Sequence, residues 1–384
     1  MNLSYIINRL GEDNENYYNA VAPPIIQTSN FSYKTVNDLR LAINDEKNNL
    51  IYSRGNNPTL DILVKKLAAL EKAEDAIVFA SGMAAISTAI IANVAAGDHV
   101  ICVQEPYSWT NKLLSSLLPR FGVECSFING GEISNYQQSL KPNTKLIYLE
   151  SPNTFTFELQ DLKAVAAFAR QNNLTTIIDN SYSTPLFQNP IEFGIDIVVH
   201  SATKYIGGHS DTVAGVLCSS KEIVERIFKN EFLTFGGIIS PFNAWLLLRG
   251  LRTLPIRMEK IAKTTSSVIN FLENHSKIEK VIYPFSKDFP QLELAESQMK
   301  CGSGMLSVLL KTNEIPKIEA FCNALKCFYI AVSWGGYESL VFPVCSFVND
   351  KEESPIPFNL VRFSIGLEEP EELIQDIENA LKFL

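Results

Sequence analysis

The richest run of potentially reactive side chains in this sequence is Ile195-Asp-Ile-Val-Val-His-Ser-Ala-Thr-Lys-Tyr-Ile-Gly-Gly-His-Ser-Asp211. Its apolar, β-branched opening reads as a strand covered on both faces, since such strands lose the polar alternation of half-exposed ones. The strand delivers Ser201, Thr203 and Lys204 onto a loop made pliant by Gly207 and Gly208. Lysines ordinarily stand on solvated faces, because burying an unpaired ammonium is costly. One lodged among small residues at the end of a buried strand has two readings. It is an ordinary strand-end lysine, or a partly desolvated amine that can attack a carbonyl and form a Schiff base.

Other residues widen the choice of chemistry. Asp179 closes the apolar run Thr175-Thr-Ile-Ile-Asp179, either as a helix cap or as a charge held near an apolar wall. Ser81-Gly82-Met83-Ala-Ala-Ile86 follows a short strand and opens an Ala-rich helix. A glycine turn at a helix start offers free backbone N–H groups and the positive dipole end, which suit a phosphate. Tyr52-Ser-Arg54 is an exposed loop ahead of the helix that Pro58 punctuates, or an anion clamp built on a guanidinium fork and a hydroxyl. Tyr107 comes just after strand 99–103, at the carboxyl edge where open α/β sheets hold ligands, unless it is only a packed aromatic. Arg362, inside strand 360–364, is an edge cation or a fork for a carboxylate. Ser333-Trp334-Gly-Gly-Tyr-Glu338 is the second conspicuous motif of the last third.

The elements that must position these residues alternate strand with helix from about residue 60 to 220, with strands at 76–80, 99–103, 144–150, 175–180 and from 195. This predicts a mainly parallel sheet covered by helices. Residues 1–56 are polar and Asn-rich and form an arm, 57–240 the α/β domain, and 241–384 a smaller α+β domain. The last begins with a long helix running past Pro255 toward Glu273 and includes strands at 305–310 and 360–364. The sequence is 384 residues long, 46% hydrophobic, with a formal net charge of -9, which disfavours nucleic acid or an anionic membrane as partner. Seven scattered cysteines without a CxxC pair suggest neither a zinc cage nor a disulfide framework, and fit a reducing, cytoplasmic setting. No secretory signal and no membrane span is expected, and the absence of HExxH, GxGxxG and GxxxxGK[ST] removes the main support for zinc hydrolysis, nicotinamide chemistry and P-loop chemistry.

Together these residues could serve one cofactor, pyridoxal 5'-phosphate (PLP). Lys204 would hold its aldehyde and Asp179 would face its ring nitrogen. Ser81, Gly82, Met83, Ser201, Thr203 and Arg54 would take its phosphate, and Tyr107 would stack on its ring. In order along the chain, Tyr52-Ser-Arg54 with Asn57-Pro-Thr59, Ser81-Gly-Met-Ala-Ala-Ile86, Ile178-Asp179-Asn180 and Ser201-Ala-Thr-Lys204-Tyr closely resemble the Cys/Met-metabolism family of PLP-dependent enzymes.

The resemblance implies a fold-type I PLP-transferase architecture and a homotetramer of tight dimers. It also implies that Tyr52 and Arg54 reach the phosphate held by a neighbouring subunit. Lys204, Tyr107 and Asp179 would be catalytic; Arg362, Ser333, Trp334 and Tyr107 would bind an amino-acid substrate, with Trp109, Trp334 and Glu338 lining its side-chain pocket. Within the family, Ser333-Trp334-Gly-Gly-Tyr-Glu-Ser-Leu340 and Glu150-Ser-Pro-Asn-Thr-Phe-Thr-Phe-Glu158 look most like bacterial cystathionine β-lyases. The expected reaction is therefore α,β-elimination of L-cystathionine to homocysteine, pyruvate and ammonia. The alternative is γ-elimination or γ-replacement at the same site.

Overall fold

A computed structural model describes residues 1–348 and 354–384. The chain forms two units, the first comprising Met1–Glu150, Gln160–Gly207 and Asp211–Arg252, the second Ser151–Leu159, Gly208–Ser210 and Thr253–Leu384.

The first unit is built on seven strands: β1 (Asp75–Phe79), β2 (His99–Val103), β3 (Glu124–Ile128), β4 (Thr144–Glu150), β5 (Thr175–Asp179), β6 (Ile197–Ser201) and β7 (Gly215–Ser219). Their order in the sheet is β1-β7-β6-β5-β4-β2-β3, and only β7 runs against its neighbours. Both faces are covered, which is why the strands read as continuous apolar runs. On one face Cys102, Tyr148, Ile177, Val199 and Leu217 pack with Ala85, Ile86 and Ala89 of helix Gly82–Ile91. On the other, Val103, Leu149, Ile178 and Val198 pack with Val165, Ala166 and Ala169 of helix Leu162–Gln171. Side chains alternate across a strand, so successive residues at the ends of β4, β5 and β6 are committed to opposite faces.

Helix Pro58–Glu71 opens with two local signals the sequence carries plainly. Asn57 caps it by accepting the Thr59 N–H at 3.0 Å, and Pro58 sits where no backbone donor is needed. Lys66 of this helix is buried, and its ammonium donates to the carbonyls of Ile6 and Ile7 and pairs with Glu12 at 3.0 Å. That bond set ties the N-terminal helix Leu3–Asn8 to the unit and gives the buried cation the partners it requires. Burial still depresses the Lys66 pKa, with the Glu12 carboxylate opposing the shift.

The second unit is a five-stranded sheet, β8 (Ile278–Ile282), β9 (Met305–Leu310), β10 (Phe328–Ile330), β11 (Ser339–Pro343) and β12 (Leu360–Ser364), in the order β10-β11-β12-β9-β8. Only β10 and β11 pair in parallel. Val361 and Phe363 point to a core shared with helices Ile315–Ala324 and Pro370–Leu381. Leu360 and Arg362 occupy the opposite face, where Leu360 packs with Val344, Val348 and Ile356. Pro255 lies inside helix Pro241–Glu273, which continues past it as the pattern predicted. No described helix is long and apolar enough to cross a membrane.

Candidate active site

In the first unit the predicted residues gather on one face of the sheet, at the carboxyl ends of adjacent strands. Glu150 of β4 and Asp179 of β5 are register partners and share the face covered by helix Gly82–Ile91. Ser201 closes β6 on that same face, and the chain then turns so that the Lys204 N–H donates to the Ser201 carbonyl at 3.1 Å. Lys204 is half-buried, and its ammonium is close enough to act on the charge of Asp179.

The helix start supplies the complement. The Ser81 hydroxyl accepts the Ala84 N–H at 3.0 Å and the Ser81 carbonyl accepts the Ala85 N–H at 3.2 Å. The N–H groups of Gly82 and Met83, first in the helix, have no acceptor among the described residues. Glycine is needed here because a Cβ at position 82 would stand 2.9 Å from the Ser201 Cβ, and one at Gly215 2.1 Å from the Ser81 carbonyl oxygen. The two backbone donors are thus pressed against the Ser201 side chain. Thr203 is differently engaged: its hydroxyl donates to the Ala214 carbonyl at 3.2 Å and accepts the Ala214 N–H at 3.0 Å.

Asp179 is buried, with Oδ1 accepting the Ser181 N–H at 2.9 Å. Burial pushes its pKa above the ordinary carboxylate range, opposed by hydrogen bonds from Ser181 and by the electrostatic influence of His200 and Lys204. The carboxyl thus favours a cation set against it. Tyr107, 40% exposed, begins helix Ser108–Lys112, and its N–H donates to Glu150 Oε2 at 2.7 Å. Burial raises the pKa of its phenol, and Asp179 and Glu150 raise it further, so it holds its proton. Trp109 is largely exposed, with the Lys112 ammonium 5.3 Å from its ring centre.

Tyr52 and Arg54 also belong to the first unit, exposed, with the guanidinium 5.4 Å from the Tyr52 ring centre. Neither side chain hydrogen-bonds within the chain among the described residues.

The second unit holds the remaining candidates. Arg362 is buried on the central strand β12, where Nη1 donates to Thr154 Oγ1 at 2.9 Å and Nη2 to the Ser333 carbonyl at 3.3 Å. It is not the exposed edge cation that was one reading of the sequence. Ser333 has a φ of 79°, rare for a residue with a side chain and the kind of strain that collects at functional sites. Trp334 is half-buried beside it. Glu338 Oε1 accepts the Ser210 hydroxyl at 2.5 Å, while Oε2 is buried with no hydrogen-bond partner among the described residues.

Sequence reasoning missed Glu150 and Ser181. Ser181 donates its N–H to Asp179 and accepts the Ser201 N–H at 2.6 Å, lacing β5 to β6. It also missed the buried pair His200–Glu71, 2.8 Å apart behind the lysine loop. A carboxylate ending each of two adjacent strands was the readable signal for Glu150.

A phosphorylated pyridine aldehyde has an anion, a ring nitrogen that can carry a proton, and a carbonyl. The open N–H pair at the helix start, the buried carboxyl of Asp179 and the half-buried amine of Lys204 are complementary to those three features, and all lie on one face.

Comparison with known proteins points the same way. The protein-family model described as "Cys/Met metabolism PLP-dependent enzyme" matches residues 5–382. The chain is 38% identical over 378 residues to an L-methionine gamma-lyase of Treponema denticola, covering 96% of this chain and 94% of that one. It is 38% identical over 338 residues to a cystathionine gamma-lyase of Bacillus subtilis, covering 86% and 88%. A crystal structure of the metY protein of Campylobacter jejuni, which contains N'-pyridoxyl-lysine-5'-monophosphate, superposes with a TM-score of 0.94 at 26% identity, over all of both chains. These matches bear out the fold-type I architecture and PLP as the cofactor, and they favour chemistry at the γ-carbon over the β-elimination expected from the Trp334 and Glu150–Glu158 motifs. The chain belongs to the Cys/Met metabolism family of PLP-dependent enzymes.

Proposed function

We propose that this protein is a carbon–sulfur lyase that eliminates a thiol from the γ-carbon of a sulfur amino acid, L-methionine or L-cystathionine. The observation that carries this reading is its 38% identity, over nearly the whole of both chains, to an L-methionine gamma-lyase. When bound, PLP supplies a ring that accepts the electron pair left as the α-carbon loses its proton.

The chain's own residues do the rest. Lys204 would hold the cofactor and would be the base that takes the substrate's α-proton. γ-Elimination also requires a proton to leave the β-carbon; Lys204 would take it only after giving up the α-proton, for which the bound cofactor would supply the acceptor. Asp179 would keep a proton on the cofactor's ring nitrogen. Tyr107 retains its phenolic proton and can give it to the departing sulfur. Gly82 and Met83 bind the phosphate through backbone N–H groups, with Ser81 fixing the turn and Ser201 adding a hydroxyl. Thr203 joins them by exchanging its bond to Ala214. Arg362 grips the substrate carboxylate, Ser333 and Trp334 shape the approach to it, and Tyr52 and Arg54 complete the phosphate site of a second copy in a homotetramer.

The second reading is β-elimination of L-cystathionine, favoured by Trp334 and its flanking Ser333-Trp-Gly-Gly-Tyr-Glu338 motif. Products separate the two. Purified protein loaded with PLP and given L-cystathionine should release 2-oxobutyrate and cysteine; pyruvate and homocysteine would replace γ- with β-chemistry. With L-methionine the expected products are methanethiol, 2-oxobutyrate and ammonia. No keto acid from either substrate would overturn the lyase reading altogether.

A further inference from the structure

Arg362 has company that a carboxylate anchor does not need. Its guanidinium carbon lies 5.1 Å from the ring centre of Phe155 and 5.3 Å from that of Phe342. Those two rings are 6.2 Å apart, and Phe347 closes the group at 6.0 Å from Phe155 and 5.7 Å from Phe342. The three phenyls form a nearly equilateral triangle, and both rings that meet the guanidinium lie to one side of it. Phe342 is held by the sheet, because it is the register partner of Arg362 across β11 and β12. Phe155 has no strand to fix it; it comes from the loop that also brings Thr154 Oγ1 to Nη1. It packs against the buried cluster of Val344, Val348, Ile356 and Leu360.

An arginine side chain has many rotamers, and rings packed against its guanidinium narrow them in addition to its hydrogen bonds. Two aromatic rings against the guanidinium attract the cation and, alongside its hydrogen bonds, limit its orientation. We infer that Phe155 is a positioning residue for substrate recognition: through its face contact with Arg362 it fixes the guanidinium plane in the orientation that meets an α-carboxylate. This rests on the proposed role of Arg362 and adds a residue to it. The consequence is selective. Loss of the ring weakens ligands that carry a carboxylate and leaves simple amines unaffected.

The test uses the PLP-loaded protein and follows its visible absorbance while glycine or ethylamine is added, the two probes differing by the carboxylate. In Phe155→Leu, which keeps apolar volume but has no π face, the glycine dissociation constant should rise about tenfold, as expected for losing a partly desolvated cation–π contact. Ethylamine binding should stay within about twofold. Phe155→Tyr should restore the wild-type glycine value, and with a turnover assay the change should fall on KM rather than kcat. Unchanged glycine binding in Phe155→Leu, or equal weakening of both probes, would overturn the inference. Arg362→Leu separates the two levels: if it binds glycine as wild type does, the role given to Arg362 fails and this inference with it. If it loses glycine while Phe155→Leu does not, only the inference fails.

Discussion

The carboxylate of Glu150 accepts the backbone N–H of Tyr107 at 2.7 Å, joining the end of β4 to the turn that follows β2. Tyr107 is the N-cap of the five-residue helix Ser108–Lys112, and its carbonyl accepts the Asn111 N–H at 3.0 Å while its side chain makes no capping bond. Glu150→Ala leaves the Tyr107 N–H without its acceptor, at a cost of about 1–3 kcal/mol. Glu150→Gln keeps an oxygen in the same position. The alanine variant should therefore show a lower melting temperature and a lower kcat with PLP content retained, and the glutamine variant should recover most of both. Equal kcat in Glu150→Ala and wild type would mean that Tyr107 does not depend on this bond.

Asp179 makes a pH-dependent prediction for the cofactor-free chain. Burial holds its folded-state pKa above the ordinary value of 3.8, so between 3.8 and the raised value the folded chain binds more protons than the unfolded one. Stability from this group is complete below 3.8 and declines as pH rises through the folded pKa. Urea unfolding of the cofactor-free protein across that range should show the decline, and Asp179→Asn should remove it. In the loaded enzyme the same substitution takes away the partner of a cationic ring, and kcat should fall about 10²–10³-fold, the scale of losing one preorganised electrostatic contact. A fall of less than about twofold would deny Asp179 that position.

His99 gives a prediction of opposite sign. It is fully buried between strands, with Nδ1 2.9 Å from Thr144 Oγ1 and Nε2 2.9 Å from Ser126 Oγ. Burial lowers its pKa from 6.5, with Lys141 adding to the shift. Below 6.5 the unfolded chain takes up a proton that the folded chain refuses, so stability falls as pH drops from 6.5 toward the lowered value. Thermal unfolding at successive pH values should reveal this slope, and His99→Gln should flatten it. An unchanged slope in the variant would assign it to other groups.

The parts of the fold legible in the sequence were those where one physical demand dominates. β2, β4, β9 and β12 are buried almost throughout and appear as mostly apolar runs, so their bounds could be read directly. β3 and β8 carry Glu124 and the Glu279-Lys280 pair in exposed positions, and β7 begins with a glycine, so tertiary pairing rather than local pattern makes them strands. The cofactor side of the site was legible for a related reason. A lysine and an aspartate at the ends of apolar strands break the burial rule, and a glycine opening a helix declares an anion site. Glu150 and Ser181 act through backbone N–H groups whose donors lie 43 and 20 residues away or are near neighbours in the turn, and no spacing pattern announces such partners. The choice between β- and γ-carbon chemistry was not legible, because both use the same lysine, aspartate and arginine and differ in how protons are timed at one amine.

The account stands on covalent attachment at Lys204, and reduction of the holoenzyme with borohydride followed by peptide mass mapping tests this most directly. Reduction converts a lysine–PLP C=N bond into a stable amine, so the label marks the residue that carried the cofactor. The predicted result is one pyridoxyl-phosphate adduct on the peptide containing Lys204, with Lys204→Ala protein colourless and unlabelled. An adduct on a different lysine, or a Lys204→Ala variant that keeps its visible absorbance and turns over substrate, would contradict the account.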